Sequence, residues 1–567
     1  MTFDVSQVPN HFPLETFRPG QQQAIERVLE TFDKGYKYVF LEGPTGSGKS
    51  AIGYTIAQFV QKAYYLCPQK FLQDQLSADF GENGKCLGSH RPMIDLKGRG
   101  TYPCSYYERM LDKFGQDHPD YPMTFEKARQ KIMCDKGECK RQGQSKIAEC
   151  CDGKLAVYCP YFKRVYEALA SHICLMNFHS FLFQTNVVHQ FPKRDLLVID
   201  ECHVSEDVLL RFVELKISDK HLLRRQIKFP KLETVEEYLE FFEEIGLGEI
   251  IADEIKLARA FGDEKAEDEW THLAIKYEMI TNSSTDEWVV LWEESKEKVS
   301  RTVILRPVFV DEFAERFLFN KADHILLMSA TILSKEAICD SLGIENDEAH
   351  MLRLPCLFPA ENRQLHFVPS GSMSFKNKAK TFPKLVADVT KICRKHANDR
   401  GIIHTHNFEI CKKLLDECPK DVSSRFLHQK DDQFEGNKHL LIQKHKNTPN
   451  SVIIAPAMHE GLDLIDDLGR FQILCKVPYP SKADPQISRR MEVSPTYYDW
   501  RTATKLVQSY GRIIRHDGDF GTTYILDKDF EFFYKRIKSM LPSWFKEAII
   551  WSSTISSERT LDSCLPI

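Results

Sequence analysis

The sequence predicts an α/β protein with two parallel-sheet domains and two modules inserted into the first of them. Three observations predict this class: a glycine-rich loop between an apolar strand and a helix, apolar runs that end in polar residues, and a second series of strand-then-turn segments after residue 346. The chain has 567 residues. That length suggests about three or four domains.

The glycine-rich loop follows a short apolar run, Tyr38 to Leu41, and precedes a segment with helical spacing, AIGYTIAQFVQKA. Its sequence, GPTGSGKS, fits GxxxxGK[ST] in full. Loop N-H groups and a helix N-terminus together bind phosphates, and glycines permit the close approach. The alternative is a glycine turn followed by Lys-Ser by chance. We expect eight nucleotide-binding residues: Gly43, Pro44, Thr45, Gly46, Ser47, Gly48, Lys49 and Ser50.

Two residues of the loop have distinct expected roles. Lys49 would reach the β- and γ-phosphates, and Ser50 would hold Mg²⁺ through its hydroxyl. Upstream, FRPGQQQAIERVLETF predicts a turn and an amphipathic helix. Arg18 and Gln21 precede the loop at the sequence distance at which nucleotide-driven motors often place an adenine-reading glutamine, whose amide can both donate to and accept from the base edge. A solvent-exposed glutamine at a helix N-terminus is the alternative for Gln21.

A cysteine-rich module begins after residue 80. Six of the 17 cysteines fall between residues 104 and 159, a segment with little periodic apolar sequence: Cys104, Cys134, Cys139, Cys150, Cys151 and Cys159. A segment that cannot build a core is stabilised most simply by a metal centre. The spacing lacks the CxxC pairs of structural zinc sites and favours an iron-sulfur cluster over zinc, with free thiols as the remaining alternative.

The next motif is a pair of carboxylates that ends a continuous apolar run, Leu196 to Ile199. Asp200 is suited to contact Mg²⁺ through water, and Glu201 to polarise the water that attacks the γ-phosphate. A solvated turn is the alternative. We also interpret HICLMNFHSFLF, just before it, as a strand.

From Val204 to about Asn320 the pattern is helical and charged, as in VEEYLEFFEEIGLGEI, which predicts an inserted helical domain. The sheet pattern resumes at HILLMSATIL. Ser329, Ala330 and Thr331 end that strand, and their hydroxyls can link the nucleotide site to a second domain. SAT is also a common tripeptide, so chance occurrence is the alternative.

The second sheet is predicted by RGIIHTHNF, NSVIIAPAMHEGLDL and FQILCKVPYP, each a strand followed by a turn. LVQSYGRIIRHDG follows. Arg512 and Arg515 are three residues apart and would project from one helix face, with Gln508 on the same face. Two guanidinium groups can clamp a transferring phosphoryl group across a cleft. The alternative is a basic helix face in solvent.

Composition restricts the partners. The net charge of -5 argues against a wholly basic nucleic-acid coat but allows a local basic groove. No apolar run approaches the 18 residues of a membrane span, and MTFDVSQVPN lacks the features of a signal peptide. We therefore expect an intracellular protein without a membrane partner.

The set GPTGSGKS, DECH, SAT, HEGLDL and QSYGRIIR, with LKGRGTYPC and YCPYF between the first two, resembles the iron-sulfur superfamily 2 helicases of the XPD and DinG family. The resemblance covers nearly the whole chain. It implies two motor domains resembling RecA, with an iron-sulfur domain and a helical arch domain inserted in the first. It also implies ATP-driven movement on single-stranded DNA with 5′ to 3′ polarity, and ATP, Mg²⁺ and a 4Fe-4S cluster as cofactors.

Carried onto this sequence, the resemblance makes Lys49 the phosphate-binding lysine, and Asp200 and Glu201 the metal and water carboxylates. Its trans-acting arginines fall on Arg512 and Arg515. The family's glycine-aspartate turn falls on Gly461 and Asp463, and its cluster ligands on Cys104, Cys134, Cys139 and Cys159. Cys150 and Cys151 are extra, and either could replace one of the middle ligands. Cys202 stands where many relatives of the superfamily carry alanine.

The predicted domain boundaries follow these motifs. The first motor domain comprises residues 1-80, 169-204 and 321-345, the iron-sulfur domain 81-168, the arch 205-320, and the second motor domain 346-567. The length of the chain suggests a compact bacterial or viral form without an appended nuclease.

The sequence therefore favours an ATP-dependent DNA helicase that unwinds duplex DNA or DNA-RNA hybrid, acting on single-stranded and forked DNA as a monomer. We expect it in the cytoplasm of a bacterial cell or phage-infected host, or in the nucleus of a eukaryote. The alternative is a DNA-stimulated ATPase or translocase that remodels protein-DNA complexes without unwinding. A P-loop kinase with a zinc module is disfavoured, because a kinase needs neither the second sheet nor its paired arginines.

Overall fold

The computed structural model describes residues 2–85, 90–104, 133–136, 159–295, 300–428, 438–456, 464–514 and 518–551. Their strands form two parallel sheets of seven strands each and one antiparallel sheet of three strands. The predicted α/β class with two parallel-sheet domains is therefore confirmed.

The first sheet has the strand order β10-β1-β9-β5-β2-β4-β3. In chain order its strands are β1 (Tyr38–Glu42), β2 (Ala63–Cys67), β3 (Met93–Leu96), β4 (Ile173–Asn177), β5 (Arg194–Asp200), β9 (Ala322–Ser329) and β10 (Ala349–Arg353). Every residue of β1, β2 and β4 is buried. Such continuous burial is typical of a parallel sheet with helices on both faces, and it explains why these strands are apolar runs without alternation.

Helices precede and follow these strands. Up to the carboxylate pair they are α1 (Val8–His11), α2 (Gln21–Asp33), α3 (Lys49–Ala57), α4 (Lys70–Phe80), α5 (Pro160–Ala170) and α6 (Phe178–Asn186). The interpretation of residues 172–183 as one strand is wrong in its second half, because β4 ends at Asn177 and α6 begins at Phe178. The Asn177 side chain accepts a hydrogen bond from Ser180 N and so starts the helix.

The segment after Val204 is not wholly helical, which corrects the prediction. It contains an antiparallel sheet of β6 (Leu215–Ser218), β7 (Trp288–Ser295) and β8 (Ser300–Pro307), in the order β6-β8-β7. Its helices are α7 (Ser205–Val213), α8 (Asp219–Leu222), α9 (Val235–Glu244), α10 (Leu247–Phe261) and α11 (Glu264–Thr281). The runs WVVLW and TVILR are rich in β-branched and aromatic residues, which favours strands over helix. The chain then returns to the first sheet through α12 (Asp311–Phe317), and α13 (Lys335–Leu342) follows β9.

The second sheet has the order β13-β14-β12-β15-β16-β11-β17. Its strands are β11 (Leu365–Gly371), β12 (Gly401–His404), β13 (Phe426–His428), β14 (Val452–Ala455), β15 (Phe471–Leu474), β16 (Thr522–Asp527) and β17 (Ile549–Trp551). Its helices are α14 (Lys378–Lys395), α15 (Phe408–Glu417), α16 (Lys420–Ser423), α17 (Lys438–Asn447), α18 (Pro485–Val493), α19 (Pro495–Tyr510), α20 (Asp529–Ile537) and α21 (Ser543–Glu547).

Two predicted domain boundaries need to move. β10 lies beyond residue 345, yet it pairs with β1 in the first sheet. β3 lies beyond residue 80, yet it pairs with β4 at the edge of the same sheet. We therefore propose that the second motor domain begins after Arg353 and that the cysteine-rich module begins after Leu96. No helix among the described residues is long and apolar enough to cross a membrane.

Candidate active site between the two sheets

The candidate site lies at the carboxyl edge of the first sheet. β9 lies between β1 and β5, with Glu42 opposite Ser329 and Asp200 opposite Met328. Because parallel strands end at the same edge, the glycine loop after β1, Ser329 after β9 and Asp200 after β5 are neighbours. Three motifs that are far apart in sequence therefore meet in one place.

The glycine loop has the backbone of an anion cradle. Gly46 and Gly48 have φ values of 81° and 77°, and α3 begins directly after them at Lys49. Lys49 Nζ donates a hydrogen bond to the Gly43 carbonyl at 2.8 Å. The Ser47 hydroxyl is buried and has no hydrogen-bond partner among the described residues. A lysine held at the loop and a hydroxyl without a partner fit a site for phosphate oxygens.

Arg18 and Gln21 both contact this loop. Gln21 Nε2 donates to the carbonyls of Ser47 at 3.1 Å and Gly48 at 3.3 Å, while its Oε1 accepts from Arg18 N at 2.7 Å. The Arg18 guanidinium donates to the Gly46 carbonyl. The solvent-exposed alternative for Gln21 is wrong, since only 1% of this residue is exposed. Its contact with adenine stays a prediction.

Asp200 and Glu201 have different environments. Asp200 is 3% exposed and accepts a hydrogen bond from Glu201 N at 3.0 Å. Burial raises the pKa of Asp200, and the neighbouring Glu201 charge raises it further. Burial also acts to raise the pKa of Glu201, but the hydrogen bond and charge of His203, together with Lys49 and Arg512, outweigh it and lower that pKa. The pair can thus hold one ionised carboxylate next to the loop, as a water-polarising group requires.

A chain of polar groups runs from Glu201 to the second sheet domain. His203 Nδ1 lies 3.2 Å from Glu201 Oε2 and 2.9 Å from Ser329 Oγ. Gln508 Nε2, from α19, lies 3.4 Å from the same His203 nitrogen and donates to Thr331 Oγ1 at 2.6 Å. Ser329 and Thr331 therefore do stand between the carboxylates and the second domain.

The predicted arginine pair is only partly described. α19 ends at Tyr510, so Arg512 lies in the turn beyond it, and the expectation that a helix face presents Arg512 is wrong. Arg512 Nη2 lies 3.4 Å from Gln508 Oε1, and its charge helps to lower the pKa of Glu201. Arg515, Gly461 and Asp463 lie outside the described residues.

A pocket separates the glycine loop from the second domain. Its lining includes Thr45, Thr331, Arg363, Gln508, Tyr510 and Trp544. Trp500 of α19 spans the junction beside it, where its Nε1 donates to the Ile332 carbonyl at 2.8 Å. The two domains thus meet around a cleft with the phosphate loop on one wall.

Three of the four predicted cluster ligands come together. Cys134 Sγ is 3.9 Å from Cys159 Sγ, and the hydrogen bonds that Cys134 shares with Cys104 and Cys159 raise its pKa. All three thiols are buried. Within the described ranges no group of three or more His, Cys, Asp or Glu side chains is arranged to bind a metal ion. Cys139, Cys150 and Cys151 lie outside these ranges.

Two sequence families match the chain. Residues 15–224 match the family described as "Type III restriction enzyme, res subunit", and residues 389–548 match "Helicase C-terminal domain". An ATP-dependent DNA helicase YoaA of Escherichia coli is 22% identical over 90% of this chain and 91% of its own length. A solved XPD helicase superposes with a TM-score of 0.60 at 15% identity, covering 95% of this chain and all of that one.

Together, these matches support an XPD and DinG type of superfamily 2 helicase. An ATP-dependent DNA helicase DinG of Photobacterium profundum is also similar, with 24% identity over 39% of this chain. That match spans 34% of the relative's own length. The solved structures are too distant in sequence to show more than the shared fold.

Sequence reasoning missed three residues at the site. His203 is part of the quoted DECH box but was given no role, although a histidine beside two carboxylates is itself a signal. Glu42, next to the loop, and Tyr65, in the middle of β2, are also buried. Nothing in the sequence alone distinguishes these two from ordinary strand residues.

Proposed function

We propose that the chain is an ATP-dependent DNA helicase that moves 5′ to 3′ on single-stranded DNA as a monomer and unwinds duplex DNA or DNA-RNA hybrid. The observation that carries this proposal is the contact between Gln508 of the second domain and Thr331, at the edge that holds the phosphate loop and the carboxylates. A nucleotide bound there would touch both domains, so its hydrolysis would change how they meet. The names of the DinG and YoaA relatives support DNA as the nucleic acid along which the chain moves.

The proposed chemistry divides among the named residues. The loop and Lys49 bind the phosphates, and Ser50 with Asp200 would hold Mg²⁺, which supplies charge neutralisation when bound. Glu201 orients and polarises the attacking water, because its low pKa keeps it ionised. Arg512 and Arg515 would approach from the second domain to stabilise the transferred phosphoryl group. Arg18 and Gln21 would contact the base, and Gly461, Asp463 and Gln508 complete the cleft.

The direct test is ATP hydrolysis and strand separation by wild-type protein and by Lys49→Ala. We expect wild-type ATPase activity to rise severalfold with single-stranded DNA and Lys49→Ala to lose at least about 100-fold, because the lysine contact supplies charge stabilisation of the phosphoryl group. Lys34→Ala is the matched control, since Lys34 is exposed just before β1, at the opposite edge of the sheet. Lys49→Ala with wild-type turnover would contradict the site.

Unwinding and streptavidin-release assays on the same proteins distinguish the two candidate functions. The helicase unwinds duplexes with a single 5′ overhang and not those with a 3′ overhang. A translocase that remodels protein-DNA complexes instead releases streptavidin from a biotinylated strand and leaves both duplexes paired. Unwinding from the 3′ overhang alone would overturn the proposed direction.

We also propose that Cys104, Cys134, Cys139 and Cys159 hold a 4Fe-4S cluster. The convergence of three buried thiols supports a thiolate-bound group in this module. Protein prepared without oxygen should be brown and contain about four iron atoms. Cys104→Ser should lose the iron, while Cys356→Ser, a half-buried cysteine near the cleft, should retain it. Colourless wild-type protein with one zinc ion per chain would contradict the cluster.

A further inference from the structure

Tyr65 is a buried tyrosine whose hydroxyl has no hydrogen-bond partner among the described residues. It lies in β2, between β5 and β4, and its exposed fraction is 0%. The great majority of buried hydroxyl groups are hydrogen-bonded, so each exception needs an explanation. A phenylalanine would fill the same space without burying a polar atom.

The position of Tyr65 suggests what its hydroxyl faces. In the sheet Tyr65 pairs with Val198, two residues before Asp200. A Cβ atom on Gly53, in the helix that follows the phosphate loop, would lie 3.1 Å from Tyr65 Cε2 and 3.1 Å from Val198 Cγ1. A glycine at this point of α3 therefore makes room for the tyrosine ring directly behind the loop.

The electrostatic surroundings agree with this position. Burial raises the pKa of Tyr65 well above its usual value, the charge of Asp200 raises it further, and the side chain of Ser50 lowers it. Ser50 and Asp200, the two residues that we assign to Mg²⁺, thus both act on the pKa of this phenol. It makes no bond to them of normal geometry in this structure.

We propose that Tyr65 is a positioning residue of the magnesium-nucleotide site. Its oxygen accepts a hydrogen bond from the Ser50 hydroxyl and so turns a lone pair of Ser50 toward Mg²⁺. The inference rests on the proposed ATP-dependent function and adds to it a residue that neither the glycine loop nor the carboxylate pair contains. The unpaired hydroxyl costs stability in the absence of nucleotide, and Mg²⁺ held by Ser50 would fix the Ser50 hydroxyl in the orientation that pairs with Tyr65.

The test compares Tyr65→Phe with Tyr64→Phe, its neighbour on the other face of the same strand. Tyr64 is equally buried, but its hydroxyl donates to the Pro192 carbonyl at 2.6 Å. The measurement is the affinity for a fluorescent ADP analogue, titrated with Mg²⁺ or with EDTA. Thermal unfolding without nucleotide is measured in parallel.

In EDTA, we expect Tyr65→Phe to bind the analogue with the affinity of the wild type. Mg²⁺ raises the affinity of the wild type, and we expect this increase to be about fivefold smaller in Tyr65→Phe. Its unfolding temperature should equal or exceed that of the wild type. Tyr64→Phe should unfold at a lower temperature, because a satisfied bond is lost, and should keep the full magnesium gain.

Two results would overturn the positioning role. One is a Tyr65→Phe protein with the full magnesium gain, and the other is a Tyr64→Phe protein that loses as much of the gain as Tyr65→Phe does. Either leaves the proposed function intact if wild type binds the analogue. A wild-type protein that binds no nucleotide with or without Mg²⁺ would overturn both proposals.

Discussion

Glu42 ends β1, directly before the phosphate loop, and its carboxylate is buried between two donors. One oxygen accepts from Leu333 N at 2.5 Å, and the other accepts from Arg353 Nε at 3.1 Å. Arg353 Nη2 also donates to the Leu333 carbonyl at 2.9 Å. Leu333 has a φ of 63°, a conformation that is costly for a branched side chain and needs such support.

We predict that Glu42→Gln lowers the free energy of unfolding by about 1 to 3 kcal/mol, measured by urea denaturation. An amide can accept from only one of the two donors, and its NH₂ group then faces the other. The residues just before Leu333 carry the contacts to Gln508 and Trp500, so DNA-stimulated ATPase activity should fall as well.

Glu30→Gln is the control for this substitution, because Glu30 is exposed on α2. It should leave both stability and activity unchanged. Equal stability of Glu42→Gln and the wild type would show that the carboxylate does not hold Leu333.

At the residue scale, the predictable members of the site were those that end a recognisable motif. Asp200 and Glu201 were predicted because an apolar run ends there and parallel strands share one edge. Tyr65 and Glu42 could not be predicted in the same way. Their surroundings depend on which strands are neighbours and on their register, and a single sequence does not contain that information.

At the element scale, the phosphate-loop unit was predictable because its motif demands a strand before and a helix after it. The order β1, loop, α3 agrees with that demand. Elements without a motif were harder to predict. The strands β6, β7 and β8 lie between charged helices in the sequence. The helical pattern of those neighbours dominates the segment, so the three strands were not predicted.

The end of α19 shows the same limit. The spacing of Arg512 and Arg515 suits a helix, but the helix stops at Tyr510 and Gly511 follows it. Glycine has a low helix propensity, and here the helix ends at the residue before it despite the helical spacing of the arginines. Arg512 consequently extends from a turn, next to Gln508, which still belongs to the helix.

At the scale of the whole molecule, the two domains are joined by a buried ionic cluster as well as by the polar chain at the cleft. Glu206 of α7, 2% exposed, accepts from Arg490 Nη2 at 2.5 Å and from the Tyr497 hydroxyl at 3.0 Å. Arg501 lies 3.9 Å from Glu206 and binds Asp207. α7 begins soon after the carboxylate pair, so the cluster ties the catalytic edge of the first sheet to α18 and α19.

We predict that Glu206→Gln and Arg490→Met each lower the free energy of unfolding by about 3 kcal/mol or more, since each leaves a buried charge without its partner. The double variant should lose less than the sum of the two, because neither charge then remains. Urea denaturation of the three proteins measures this coupling.

Lys231→Met serves as the control, because Lys231 is exposed in the inserted module and has no role in the cluster. It should unfold as the wild type does. Additive losses in the double variant would indicate that Glu206 and Arg490 act independently and that the cluster does not join the domains.

α19 is engaged at both ends: Tyr497 is anchored on Glu206 near its start, and Gln508 holds Thr331 near its end. At about 1.5 Å per residue these two points are about 16 Å apart along the helix axis. α19 can therefore act as a lever, and a tilt of about 10° around the anchored end would displace the far end by about 3 Å, more than a hydrogen bond of this kind tolerates. A rotation of this size would therefore break the hydrogen bond between Gln508 and Thr331.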